Sequence, residues 1–145
     1  QFSISHVINN AYGLQCPLIA KLINRAATIG RIDYIVQSTD KNFLVPVGGA
    51  IVSSPNEELI EKLSKLYPGR ASASPIIDLF ITLLSMGKVG LQNLHQERLR
   101  CLPILINGLN NIAKKYDERV LICPHNTISI GFTLSSPRLT NVSFL

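Results

Sequence analysis

The sequence has no tryptophan and few aromatic residues of any kind, at 6% of the chain. It therefore lacks the basic stretch with interleaved aromatic side chains that stacks single-stranded bases. Its three cysteines, Cys16, Cys101 and Cys123, are an odd number with no metal-ligand spacing. This pattern argues against a disulfide framework and against a zinc site. We expect reduced core thiols of a cytoplasmic protein, and no metal.

Acidic residues are scarce, with 9 Asp and Glu against 14 Lys and Arg, and the net charge of +5 makes contact with nucleic acid plausible. No continuous apolar run approaches the ~20 residues of a membrane span, since the longest, inside Pro75–Met86, is interrupted by Asp78. We therefore expect no membrane partner.

The chain begins without methionine, and 46% of its residues are hydrophobic. We expect a segment of a longer protein, with apolar faces that meet other parts of it or another subunit.

The first third of the chain is predicted to form a strand, a helix and a second strand. The first strand ends at His6–Ile8, and apolar residues at helical spacing predict a helix from Pro17 to about Ala27 that stops at Gly30. The next strand is Ile32–Gln37. A strand–helix–strand unit favours parallel pairing of its two strands.

The chain as a whole divides into an α/β part at residues 1–88 and the start of a smaller α+β part at residues 89–145. Besides the helix from Pro17, two helices are predicted before the boundary and a long one after it, with Pro103 and Gly108 expected to kink or divide the long helix. The predicted elements are an antiparallel pair at Phe43–Val47 and Ala50–Val52, helices from Ser54 to Leu66, Ser74 to Met86 and about Leu91 to Tyr116, and strands at Val120–Cys123 and Thr127–Thr133.

Lys41 follows the apolar strand on a predicted polar turn, and Gly48-Gly49 lie shortly after it. A lysine held by scaffold on both sides, beside apolar surface that favours the neutral amine, has the setting of a Schiff-base lysine. A solvated turn lysine beside Asp40 is the alternative, and the residue types alone leave it open.

Several strings in the chain resemble one enzyme family, the O-phosphoseryl-tRNA(Sec) selenium transferases, or selenocysteinyl-tRNA synthases. The similarity runs without gaps from about His6 to Pro75 and becomes looser towards Leu134. Its most specific part is the unusual string Tyr-Pro-Gly-Arg-Ala-Ser-Ala-Ser-Pro. The strings are Asn9–Gly13, Gly30–Asp33, Ser38–Phe43, Val45–Ile51 and Tyr67–Pro75.

The resemblance implies an α/β, fold-type-I, pyridoxal-phosphate-dependent transferase of the aspartate-aminotransferase type. The chain would contain the end of the large domain and the start of the small one. Lys41 matches the lysine that holds pyridoxal 5'-phosphate covalently, and Arg70 matches an arginine that binds the substrate. Asn9 matches a cofactor-contacting asparagine, in a place where related folds carry an acid, and Tyr12 stands at the position of a tyrosine that meets the cofactor's ring hydroxyl.

The implied reaction is the conversion of O-phosphoseryl-tRNA(Sec) to selenocysteinyl-tRNA(Sec) with selenophosphate, in a homotetramer. A tRNA-contacting arginine of the family falls on Thr28, and the family's phosphate-binding loop is not in this sequence, so the segment alone is expected to be inactive. Two alternatives remain: a related pyridoxal-phosphate lyase or desulfurase that acts on a free amino acid, and a non-catalytic RNA-binding or assembly module.

Overall fold

The computed structural model describes residues 4–66, 69 and 72–135 of the chain. These residues belong to two units, residues 1–93 and residues 94–145. Each unit is described by itself. The boundary predicted between residues 88 and 89 stays a prediction.

The described part of the first unit contains a sheet of three strands in the order β1-β2-β3. Strand β1 is Val7–Asn9, β2 is Tyr34–Ser38 and β3 is Ala50–Ser53. Strands β1 and β2 are parallel, and helix α1 (Pro17–Ile29) connects them, with the amide of Gly30 bonded to the carbonyl of Ala26 at its end. The predicted strand–helix–strand unit is confirmed.

The predicted strand at Phe43–Val47 is wrong. Residues Thr39–Phe43 form a short helix, α2, which ends at Leu44 in the left-handed conformation with φ of 57°. Strand β2 pairs instead with β3, in antiparallel register from Ile35 opposite Ser53 to Ser38 opposite Ala50. Pro46 has no backbone N–H to give to a ladder, which disfavours a strand in the stretch between α2 and β3.

Asp33 fastens the amino ends of β1 and β2. Its buried carboxylate accepts a hydrogen bond from the backbone N–H of His6 at 2.6 Å. The Nε–H of Arg31 donates a bifurcated hydrogen bond to both carboxylate oxygens, each at 2.9 Å. The His6 N–H, assisted by the Arg31 guanidinium, holds the pKa of Asp33 below its usual value, although burial opposes this shift. The two strands therefore start in a fixed register.

Helix α3 spans Glu57–Leu66, within the predicted range. Asn56 caps it, because its side-chain oxygen accepts a hydrogen bond from the N–H of Glu58 at 3.0 Å. Glu57 and Glu58 occupy the first turn, where negative charge interacts favourably with the helix dipole.

Residues Ser74–Lys115, together called α4, are helical on both sides of Gly87. The backbone leaves helical geometry at Gly87, with φ of 59° and ψ of −177°, so two helices meet at a kink and the predicted stop at Gly87 is confirmed. Helical geometry continues through Pro103 and Gly108, so the chain is not divided there, and a kink at either residue stays a prediction. A proline in a helix removes one hydrogen bond, and the surrounding turns keep the chain helical here.

Helix α4 exposes a row of large apolar side chains. Ile76, Phe80 and Leu84 recur at four-residue spacing and are 70%, 61% and 68% exposed. By length and composition the helix is apolar enough to cross a membrane, and none of that segment is buried in the chain. The core helix of a protein passes the same test of length and composition.

In the second unit, the part of the chain after α4 is mostly irregular. Val120 and Phe132 form an isolated antiparallel bridge, and Leu121 N–H bonds to the Gly131 carbonyl at 2.9 Å. The strands predicted at Val120–Cys123 and Thr127–Thr133 are wrong, since the contact between them does not extend into a ladder.

The three thiols differ in burial. Cys16 is 2% exposed, as expected of a core thiol, whereas Cys101 and Cys123 are exposed. The prediction of core thiols is therefore wrong for two of the three. Cys101 lies in the long helix and Cys123 in the irregular segment, and neither position has the apolar packing that surrounds Cys16.

Candidate active site

The parallel strands β1 and β2 bring three of the predicted site residues to one edge of the sheet. Strand β1 ends at Asn9, and Tyr12 follows in its exit loop. Strand β2 ends at Ser38, and Lys41 follows in helix α2. The carboxyl ends of parallel strands lie at the same edge, which is where open α/β sheets bind their ligands.

Lys41 lies on helix α2, so the predicted polar turn is wrong. Its Nζ lies 5.5 Å from the centroid of the Tyr12 ring, within the distance at which a cation interacts with an aromatic face. The side chain is exposed in the described chain, and the apolar covering expected from the neighbouring sequence is not found there. The amine is therefore accessible, with an aromatic ring beside it.

Asp40 lies beside this lysine and is engaged by Ser38. The Ser38 hydroxyl donates a hydrogen bond to the Asp40 carboxylate. This hydrogen bond, and after it the positive charge of Lys41, holds the pKa of Asp40 below its usual value, while burial acts in the opposite direction. Asp40 is thus ionised at neutral pH and adds a negative charge next to the lysine.

Asn9 is exposed at the end of β1. Its side-chain oxygen accepts a hydrogen bond from the N–H of Ala11 at 3.2 Å. This interaction shapes the loop that carries Tyr12, which is itself 53% exposed. The cofactor contact predicted for Asn9 stays a prediction.

Gly49 packs closely against the start of helix α4. The Gly49 carbonyl accepts two hydrogen bonds from Thr39, one from the backbone N–H at 3.2 Å and one from the side-chain hydroxyl at 2.8 Å. A Cβ at Gly49 would lie 2.5 Å from the Thr39 hydroxyl oxygen and 2.8 Å from the Cβ of Pro75. The glycine therefore allows its backbone to lie close to both Thr39 of α2 and Pro75 at the start of α4.

We expect Gly49→Ala to destabilise the protein by about 1–3 kcal/mol, the usual cost of overpacking, because Thr39 and Pro75 must both move. Gly108→Ala is the matched control: a Cβ there meets nothing within 4 Å, and alanine favours a helix by about 1 kcal/mol. Chemical denaturation measures both variants. Equal stability of the Gly49→Ala variant and the unaltered protein would show that this contact is not tight.

Arg70 lies outside the described residues, so its predicted role stays a prediction. Pro75, five positions after it in the sequence, is the residue that packs against Gly49. Among the described residues, no group of three or more His, Cys, Asp or Glu side chains is placed to hold a metal ion.

Sequence reasoning missed Asn42 and Gln15. The buried Asn42 side chain donates hydrogen bonds to the carbonyls of Ala11 at 2.7 Å and Ser38 at 2.6 Å. Gln15 Nε2 donates to the carbonyl of Lys41 at 2.6 Å. No local pattern in the sequence signalled these contacts, because those with Ala11 and Lys41 join residues 31 and 26 positions apart.

Comparison with known proteins identifies the family. A family model described as "O-phosphoseryl-tRNA(Sec) selenium transferase, SepSecS" matches residues 1–142. The chain belongs to this family. It is 53% identical over 137 residues to the O-phosphoseryl-tRNA(Sec) selenium transferase of Dictyostelium discoideum. This match covers 94% of the chain and 29% of the relative. Its identity to the selenium transferase of Methanopyrus kandleri is 44% over 122 residues, and this match covers 83% of the chain and 28% of the relative.

A solved structure agrees with the sequence comparisons. The crystal structure of an archaeal O-phosphoseryl-tRNA(Sec) selenium transferase superposes with a TM-score of 0.80 at 34% identity, covering 92% of this chain and 30% of that one. The fold is therefore that of a fold-type-I enzyme of the selenium transferase family, as predicted. The chain spans less than a third of the length of these relatives.

The residues at the sheet edge fit pyridoxal phosphate. An accessible primary amine at Lys41 reacts with an aldehyde, and the Tyr12 ring beside it favours positive charge. The exposed amide of Asn9 offers hydrogen bonds at the same edge. The side-chain oxygen of Asn42 is buried without a hydrogen-bond partner among the described residues. The arrangement provides an amine, an aromatic ring and amides around one open edge.

Proposed function

We propose that the protein containing this segment converts O-phosphoseryl-tRNA(Sec) to selenocysteinyl-tRNA(Sec), using selenophosphate and pyridoxal phosphate. The single observation that carries the proposal is the Lys41 amine, 5.5 Å from the Tyr12 ring centroid at the carboxyl edge of β1 and β2, in a chain of this family. An amine at the carboxyl end of parallel strands, with a ring beside it, suits a ligand bound at that edge.

Lys41 serves as the catalytic residue. Its Nζ would hold the cofactor covalently and, as a free amine, would take the proton from the substrate Cα. When bound, the cofactor supplies an electron sink for the pair left at Cα. Phosphate would leave from Cβ, the selenium of selenophosphate would add there while Lys41 returns the proton to Cα, and water would cleave the Se–P bond and release a second phosphate.

Asn9 would orient the cofactor, and Arg70 would bind the substrate. The Asn9 amide would donate a hydrogen bond to the ring nitrogen of the cofactor, as a neutral group that does not stabilise a proton there as a carboxylate would. Arg70 grips the phosphate of the phosphoseryl group, because a guanidinium presents two parallel N–H donors to an oxyanion. Both roles derive from the match to the family's residues.

The proposed assembly is a cytoplasmic homotetramer. The exposed apolar row on α4, which includes Ile76, Phe80 and Leu84, supports burial against other parts of the protein or another subunit. The net charge of +5 is consistent with an RNA substrate.

The substrate test distinguishes the proposal from its alternatives. We expect the full protein, with pyridoxal phosphate and selenophosphate, to consume phosphoseryl-tRNA(Sec) and to leave free phosphoserine and cysteine unchanged, measured by the amino acid recovered from the tRNA. Seryl-tRNA(Sec) is the control, since it lacks the phosphate leaving group. Consumption of a free amino acid would indicate a lyase or desulfurase, and tRNA binding without conversion would indicate a non-catalytic module.

A further inference from the structure

The Asn42 side chain joins the two segments of the candidate site. Its Nδ2 donates hydrogen bonds to the carbonyls of Ala11 at 2.7 Å and Ser38 at 2.6 Å. Ala11 directly precedes Tyr12, and Ser38 is the last residue of β2, directly before the helix of Lys41. One amide nitrogen therefore ties the loop of Tyr12 to the segment of Lys41.

The burial of this amide is costly. Asn42 is 6% exposed, and its Oδ1 has no hydrogen-bond partner among the described residues. A buried polar atom without a partner reduces stability. A feature that reduces stability beside a reactive site is expected where the site needs a particular geometry.

The loop has two further attachments, one at its start and one at its end. The N–H of Asn10 donates to the carbonyl of Val36 at 2.8 Å, which fixes the start of the loop on β2. Gln15 Nε2 donates to the carbonyl of Lys41 at 2.6 Å, which fixes the end of the loop on α2. Asn42 contacts the middle of the loop, next to Tyr12, so this contact governs the position of the ring most directly.

We propose that Asn42 is a positioning residue that holds the Tyr12 ring against the Lys41 amine. This inference rests on the proposed function, since it concerns the same site. The interaction of a cation with a ring depends on their separation, and Nζ already lies 5.5 Å from the centroid, near the limit of about 6 Å. A shift of the loop by about 1 Å therefore removes the ring from the amine.

The test compares Asn42→Asp, Asn42→Ala and the control Asn24→Asp in the full protein. Aspartate has the size of asparagine but faces the two carbonyls with an oxygen that cannot donate. Alanine removes the contact without repulsion and remains informative if the aspartate variant does not fold. Asn24 is exposed on α1, so its replacement changes charge alone.

Two readouts report the position of the ring. The first is the concentration of pyridoxal phosphate that half-saturates borohydride trapping at Lys41, which we expect to rise about tenfold in Asn42→Asp, the effect of about 1.4 kcal/mol. The second is the pH midpoint of the visible band of the bound cofactor. It changes in both Asn42 variants because the Tyr12 ring no longer lies beside Nζ. Asn24→Asp leaves both values unchanged.

Folded Asn42→Asp and Asn42→Ala proteins with unaltered midpoint and half-saturation would overturn the inference. A lower melting temperature with an unchanged pH midpoint would show a merely structural role, and would also overturn it. If the unaltered protein is not trapped at Lys41, the proposed function fails. In that case, amide hydrogen exchange of residues 9–16 in the cofactor-free protein tests whether Asn42 holds the loop of Tyr12. Faster exchange in the Asn42 variants than in the unaltered protein supports the inference, and equal exchange overturns it.

Discussion

Lys41→Ala is expected to abolish covalent binding of pyridoxal phosphate and to lower the rate of selenocysteinyl-tRNA formation by at least about 1,000-fold. The alanine side chain cannot form a bond with the cofactor aldehyde, and it cannot take the proton from the substrate Cα, a step for which a positioned base contributes about 100- to 10,000-fold. The measurements are the visible absorbance of the purified full protein and single-turnover conversion of phosphoseryl-tRNA(Sec).

Lys62→Ala is the matched control for this variant. Lys62 is an exposed lysine on helix α3, so its loss removes the same charge at a position away from the described strand ends. The control is expected to keep both the absorbance and the rate. Unchanged absorbance in the Lys41→Ala protein would show that another lysine holds the cofactor.

Arg70→Lys is expected to lower kcat/KM for phosphoseryl-tRNA(Sec) by about 10- to 100-fold, while cofactor absorbance stays the same. A lysine keeps the positive charge but loses the two-donor fork that fits a phosphate, and one charge-assisted hydrogen bond contributes about 1.5–3 kcal/mol. Steady-state kinetics with the phosphorylated substrate measure the effect.

Arg100→Lys serves as the control for Arg70→Lys, because the Arg100 side chain is 73% exposed on helix α4 and pairs with Glu97. Its kinetics are expected to match those of the unaltered protein. An Arg70→Lys protein with normal kcat/KM would place the phosphate grip on another residue.

The sequence predicted the strand–helix–strand unit because local signals determine it. Apolar spacing defines α1, Gly30 marks its end, and the crossover favours the parallel pairing that β1 and β2 show. These elements alone bring the exit loop of Asn9 and the helix of Lys41 to one edge. The position of these segments at one edge could therefore be predicted from the elements, whereas the roles of Asn9 and Tyr12 were implied only by the resemblance to the family.

The surroundings of Lys41 could not be predicted in the same way. The apolar residues after it suggested a covered amine, but α2 turns the side chain towards solvent in the described chain. The attachment by Asn42 joins residues 31 positions apart, and no local pattern encodes a contact of that range. The strands predicted after α4 also depended on long-range pairing, which formed a single bridge.

Borohydride trapping of pyridoxal phosphate in the unaltered full protein, followed by peptide mapping, tests the central claim most directly. An accessible Lys41 amine beside Tyr12 predicts one stable cofactor adduct on the peptide that contains Lys41, at saturation and at neutral pH. An adduct confined to another lysine, or no adduct at saturating cofactor, would contradict the assignment of this edge of the sheet as the catalytic site.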